Sequence, residues 1–272
     1  MRLTPFLSIP SRSLYSHFRL VEERGLNLEI QLDWDSLDNP QNHAFHLVRK
    51  AREKTGMEIT LHAPFIDMAP GASDPLMRRA TMTRLEQTAN LAQELGARMI
   101  VVHPGYDEKR YWMDLDGFKR RSVETWRRFM DMAEPAGCDV ALENIFERRP
   151  EILVEVMEMV DTPRFGACFD TGHFNVFSKV SVEEWLKVVG PHVLELHLHN
   201  NYGEHDDHNG MKSGVFDFAR FFSAFNQYIR PGKTLFTLEP HKEEGVDESL
   251  EALAGFGYSL PMPATLAQAQ AV

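Results

Sequence analysis

Residues 193–200 read Val-Leu-Glu-Leu-His-Leu-His-Asn, and the architecture turns on their alternation. In an extended strand successive side chains point to opposite faces. Leu194, Leu196 and Leu198 therefore share one face, and Glu195, His197 and His199 share the other. The pattern recurs along the chain. Leu28, Ile30 and Leu32 oppose Glu29, Gln31 and Asp33, and Ile59, Leu61 and Ala63 oppose Thr60 and His62. Ile100 and Val102 oppose His103, Val140 and Leu142 oppose Glu143, and Phe236 and Leu238 oppose Thr237 and Glu239. The apolar set is expected to face surrounding helices, which turns the polar set toward the interior of the sheet. An ionised carboxylate there is costly unless it is paired or bound to a cation.

Eight such runs lie at Leu3–Ile9, Leu26–Asp33, Glu58–Pro64, Met99–Gly105, Asp139–Ile145, Phe165–Asp170, Val193–Asn200 and Thr234–Pro240. Segments of helical period separate them, most clearly Asp74–Leu95 and Gly117–Ala133. Asp74 and Ser181 are candidate N-caps, and Gly25, Gly96 and Gly137 stand just past helix ends. Repeated βα units build a parallel sheet, so an α/β fold of the (β/α)8 TIM-barrel type is expected. An open doubly wound sheet is the alternative, but no Gly-x-Gly-x-x-Gly follows the first strand. The length, 272 residues, suits a single barrel domain. Its expected extent is 1–258, followed by a Pro- and Ala-rich tail at 259–272.

Composition narrows the function. Twenty-nine Lys+Arg against 40 Asp+Glu give a net charge of −11, which argues against nonspecific binding to nucleic acid or anionic lipid. Two cysteines make neither a disulfide framework nor a Cys-rich zinc site. The opening MRLTPFLSIP lacks a signal-peptide core, and no run approaches the roughly 20 apolar residues of a membrane span. A cytoplasmic chain without membrane contact is expected.

The polar residues fall near the C-terminal ends of the third to eighth strands: His62, His103, Glu143, Asp170, His197 and Glu239. Barrel active sites form at that end, and six ligand-type residues in register there argue for a metal centre. Asp170-Thr-Gly-His173 adds an imidazole, and the long loop NNYGEHDDHNGMKSG adds Asp206 and His208. Mixed His and carboxylate donors suit Zn²⁺, Mn²⁺, Co²⁺ or Fe²⁺ better than Ca²⁺. Trp34, Phe65, Tyr106, Trp112 and Phe174 are candidate pocket walls, whereas His17, His43, His46 and His192 read as surface residues and the methionines as core filler.

The segments LHAP (His62), VVHPG (His103), ALEN (Glu143), FDTGH (Asp170, His173), HLHN (His197), DDH (Asp206, His208) and LEP (Glu239) resemble the xylose-isomerase-like TIM-barrel superfamily, in its order. That superfamily holds sugar isomerases and epimerases as well as endonuclease IV. The resemblance implies a single-metal isomerase site at Glu143, Asp170, His197 and Glu239. Glu143 and Glu239 would be the acid/base pair, and His173 would orient a hydroxyl of a small carbohydrate. It equally implies an endonuclease-like set of up to three ions that adds His62, His103, His173, Asp206 and His208, with a phosphodiester, including abasic DNA, as substrate. Lys212-Ser213-Gly214 and Asn144-Ile-Phe-Glu147 depart from the nuclease pattern. The acidic balance favours the isomerase or epimerase, with one to three Zn²⁺, Mn²⁺ or Co²⁺ ions.

Overall fold

The structure, a computed structural model, describes residues 2–229 and 232–261. Its strands are β1 (Phe6–Pro10), β2 (Asn27–Gln31), β3 (Ile59–His62), β4 (Met99–Val102), β5 (Asp139–Glu143), β6 (Phe165–Asp170), β7 (Val193–Leu198) and β8 (Leu235–Leu238). Each pairs in parallel with the next, and β8 returns to β1, so the sheet closes in chain order. The α-helices are α1 (Leu14–Arg24), α2 (Trp34–Asp38), α3 (Phe45–Thr55), α4 (Pro75–Leu95), α5 (Glu108–Tyr111), α6 (Leu115–Ala133), α7 (Glu151–Val160), α8 (Thr171–Phe177), α9 (Val182–Val189), α10 (Phe218–Tyr228) and α11 (Glu243–Gly255). This is the expected (β/α)8 barrel. Periodicity did not foretell α2, α5 and α8, which have seven residues or fewer. Two turns of helix are too few to display a stripe.

Local chemistry sets the helix ends. The Asp74 carboxylate accepts from Leu76 N–H at the start of α4, and Ser181 forms a reciprocal capping box with Glu184 at the start of α9. Gly25 and Gly96 close α1 and α4 at φ of 64° and 66°, a left-handed region that penalises other residues. Gly137 is not a helix cap but closes the turn that follows α6.

Leu28, Ile30, Leu61, Leu142, Leu196 and Leu198 bury against the helices. The interior is layered. Its lower part is apolar, built from Phe6, Met99, Val101, Ala141, Cys168 and Leu235, which the simple polar-inside rule did not anticipate. Leu194 also departs from that rule. The register between β6 and β7 shifts at Ala167/Cys168, and this irregularity turns Leu194 onto the inner cluster and against Gly166. Above lies a polar layer of Ser8, Glu29, Thr60, Glu195 and Thr237, all buried.

Other expectations also change. Asp33 has left the strand alternation and caps α2 through Ser36. His43 is buried rather than exposed, stacked on Phe45 with Nε2 3.3 Å from Asp35. Met77, Met113 and Met159 are exposed rather than core filler. At the expected tail, Leu3 N–H donates to Ser259 O at 2.9 Å; residues 262–272 lie outside the described residues. Among the described residues, no helix is long and apolar enough to cross a membrane.

Candidate metal centre

Six strand ends converge at the barrel mouth. His62, Glu143 and Asp170 end β3, β5 and β6; His197 is the penultimate residue of β7; His103 and Glu239 each follow their strand by one residue. His173 stands on α8, whose N-terminus Asp170 caps by accepting from His173 N–H at 2.6 Å. The loop after β7 is pinned where Asn200 and Asn209 exchange backbone hydrogen bonds of 2.9 and 3.0 Å. That clasp carries Asp206 and His208 over the mouth, so all nine residues expected from the sequence meet in one place.

Glu143 is the hub. Its Oε2 lies 3.0 Å from His62 Nε2 and 3.2 Å from His103 Nε2. Its Oε1 lies 3.0 Å from His173 Nδ1 and 3.5 Å from His197 Nδ1. His197 Nδ1 is also 3.3 Å from Glu239 Oε2 and 3.8 Å from Asp170 Oδ2. A third group forms where Asp206 Oδ2 meets His173 Nε2 at 3.1 Å and His208 Nε2 at 3.0 Å.

These contacts set the electrostatics. Burial alone would push the Glu143 carboxyl up, but His197, His103 and His173 hold it well below the carboxylate range. Burial would lower His173 and His197, but Asp170, Asp206 and Glu143 raise His173 well above the imidazole range, and Cys168 with Glu239, Glu29 and Glu143 does the same for His197. Burial would lower His208 too, but Asp206 and Glu239 raise it to about 9. Against burial, His173 and His208 hold Asp206 below its ordinary range, and His197 does the same for Glu239. Burial pushes His103 down, against the pull of Glu143.

The donor set fits divalent cations. One atom from each of Glu143, Asp170, His197 and Glu239 lies within 4.8 Å of the others, and His173, Asp206 and His208 form a second such group. His62 Nδ1 sits 2.9 Å from Ala63 O and His208 Nδ1 3.0 Å from Glu239 O. An N–H donated to a backbone carbonyl leaves the other ring nitrogen free to ligate, the usual arrangement of metal-binding histidines. Buried atoms without hydrogen bonds cluster here as well: His173 Nδ1, both His197 nitrogens and Asp206 Oδ1.

Comparison with known proteins agrees with the barrel fold. Residues 19–256 match the family model described as the xylose isomerase-like TIM barrel. The chain belongs to that family. Within the xylose isomerase-like barrels, a probable endonuclease 4 of Mycobacterium leprae is 25% identical over 196 residues, covering 66% of this chain and 75% of that protein. A D-tagatose 3-epimerase-like protein superposes with a TM-score of 0.80 at 23% identity, over 93% of this chain and 97% of its own. The TTHB071 protein of Thermus thermophilus, soaked with ZnCl2, gives 0.79 at 26% identity, over 95% and 100%.

Several groups at the mouth and beneath it carried no sequence-based role. Glu29, Gln31, Glu195 and His199 share the inward parity, which was the available signal. Gln31 donates to Glu239 at 3.5 Å. Burial and the charge of Glu29 push Glu195 well above the carboxylate range. Glu147, buried in the loop after β5, is pushed up to about 7 by burial, against the backbone N–H groups of Ile145 and Glu147. Of the expected pocket walls, Phe65 stacks on His103 at 4.6 Å, whereas Phe174 packs among Phe169, Trp185 and Phe216. Trp34 and Trp112 are exposed, and Tyr106 leans on Phe118.

His199 is fully buried, and its Nε2 faces both Asp170 oxygens at 3.1 and 3.0 Å. Its ring occupies the space a side chain would need at Gly172, where a Cβ would stand 2.0 Å from His199 Cε1. Gly172→Ala is expected to displace the ring and lower stability by about 1–3 kcal/mol, the usual range for overpacking. Urea unfolding measures this, and wild-type stability in the variant would show that the ring has another place to go.

Proposed function

We propose that this barrel is a divalent-metal-dependent phosphoester hydrolase of the endonuclease IV type, with cation sites arranged around Glu143. One observation carries the reading: each Glu143 oxygen faces its own pair of imidazoles, while Asp206 gathers His208 together with the far nitrogen of His173, whose Nδ1 faces Glu143. A mononuclear centre needs only Glu143, Asp170, His197 and Glu239, and gives His62, His103, Asp206 and His208 no ligand work. His62 and His103 would share an ion with Glu143 Oε2; His173, Asp206 and His208 would hold another. Divalent ions bound there supply the positive charge that attracts a phosphate and offsets charge developing on its oxygens. The likeness to the M. leprae probable endonuclease 4 supports this choice, and the His-rich donors favour Zn²⁺, with Mn²⁺ and Co²⁺ as alternatives.

A second reading, metal-dependent isomerisation or epimerisation of a small carbohydrate, has its own observation. Glu143 and Glu239 approach His197 Nδ1 to 3.5 and 3.3 Å, so two carboxylates flank one centre. There they could exchange a proton at a substrate carbon while His173 orients a hydroxyl. The acidic balance of the chain suits a neutral substrate.

Metal equivalents per chain separate the two. The wild type is expected to hold two or three ions. Combined His62→Ala and His103→Ala are expected to remove at least one and nearly all cleavage of an abasic-site duplex or a simple phosphodiester. One ion in both proteins would end the hydrolase reading and leave the isomerase.

A further inference from the structure

Beneath the mouth, the polar layer of the barrel offers a group that neither reading uses. Glu29 on β2 is fully buried, its Oε1 accepting from Ser8 Oγ at 3.1 Å and its Oε2 from Thr60 Oγ1 at 3.1 Å. Two hydroxyls from the flanking strands thus fix the carboxylate. Its Oε1 stands 3.4 Å from His197 Nε2. β2 and β7 are not neighbours in the sheet, so this contact spans the interior. The other ring nitrogen of His197 faces Glu143, Asp170 and Glu239. Nε2 itself has no hydrogen bond and is buried.

A neutral imidazole presents a lone pair at one nitrogen and a proton at the other, and the partner of the N–H selects which. We propose that Glu29 is the positioning residue of His197: it receives the Nε2 proton and so commits Nδ1 to the cation held with Glu143, Asp170 and Glu239. At 3.4 Å the contact is longer than a good N–H···O hydrogen bond, and a small ring rotation would close it. The arrangement is a carboxylate–histidine–metal relay running through the barrel axis, with Ser8 and Thr60 keeping the carboxylate oriented. The inference rests on a cation in the four-residue cluster, which the hydrolase and isomerase readings share, so it does not depend on which reaction follows.

The test uses zinc-loaded, full-length protein with ¹⁵N-labelled histidine. In wild type, the slowly exchanging, downfield Nε2 protons should include, besides that of His199, whose Nε2 faces Asp170, one that disappears in His197→Asn. Glu29→Gln keeps the volume but offers a weaker, uncharged acceptor. It should move that proton upfield and weaken the one zinc site containing His197 by about 10–100-fold, the usual loss for a ligand-supporting partner, with the other ions unaffected. Thr60→Val, which leaves the carboxylate in place but relieves it of one competing donor, makes it the stronger acceptor and should move the same proton the opposite way, downfield, by less. An unmoved proton with wild-type zinc affinity in Glu29→Gln overturns the proposal, as does an unmoved proton in Thr60→Val should Glu29→Gln fail to fold. A wild type that binds no divalent ion would refute the metal centre itself and this inference with it. Loss of zinc in His62→Ala/His103→Ala alone bears on the number of ions and not on Glu29.

Discussion

Stripping divalent ions from this barrel with a chelator is expected to lower its melting temperature by about 8–16 °C for each tightly held ion. A ligand present at a thousand times its dissociation constant stabilises the native state by about 4 kcal/mol. In a domain of this size each kcal/mol shifts the midpoint by roughly 2–4 °C. The chelated protein should also depend on pH in the opposite sense from the loaded one. Without ions, His208 is raised to about 9 from an ordinary 6.5 through its contact with Asp206 and the Glu239 charge. A group raised in the folded state gives stability that is full below its unfolded value and lost as pH rises through its folded value. The ion-free protein should therefore weaken between about pH 6.5 and 9, and the raised His173 and His197 act in the same direction. Asp206, held low, gives stability above its ordinary 3.8 that is lost only in stronger acid. The loaded protein should gain across the alkaline interval, because cations displace those imidazole protons. Calorimetry with and without Zn²⁺ from pH 6 to 9 measures both limbs. Coincident melting curves at every pH would remove the metal centre from consideration.

The barrel was legible because strand parity is a local property. Leu28 and Ile30 face helices while Glu29 and Gln31 face inward whatever the remainder of the chain does. Parity failed at Leu194 because an irregular register between two strands involves residues far apart in sequence. It failed at Asp33 because the strand had already ended and the side chain had a helix to cap. The ligand-type residues were legible for a related reason: they stand at strand ends, and closure of the sheet alone brings those ends together. Which carboxylate faces which imidazole was not legible. That Glu143 parts its two oxygens between two imidazole pairs depends on where β3, β4, β7 and α8 point across the mouth. Glu29 and His199 were visible as inward polar residues, but their partners lie across the interior or on a neighbouring strand. The tight fit of Gly172 against His199 links positions 27 residues apart, and no local pattern encodes it.

Glu143→Gln is expected to have the largest effect on turnover of any single substitution. Glutamine keeps the side-chain volume and one oxygen, but its other terminus becomes an amide donor. Whichever way it turns, that donor faces either the His62/His103 pair or the His173/His197 pair, and an –NH₂ group cannot share a cation with them. At least one ion should be lost, and catalysis should fall by about 10⁴-fold or more, the scale seen when one member of a unit of interdependent groups is removed. Glu239→Gln sharpens the comparison. Glu239 lies beside His197, and its approach to His208 is a longer 3.9 Å, so in a multinuclear hydrolase its loss should weaken one ion while leaving the His62/His103 pair intact. In an isomerase the two glutamates exchange the same proton from opposite sides, and either substitution should abolish exchange equally while the ion remains. Metal content and turnover of the two variants, measured side by side, therefore decide between the reactions. Unequal metal loss with the greater deficit in Glu143→Gln supports the hydrolase. Equal loss of proton exchange with metal retained in both would overturn it, and would assign Glu143 to proton transfer instead of to holding ions together.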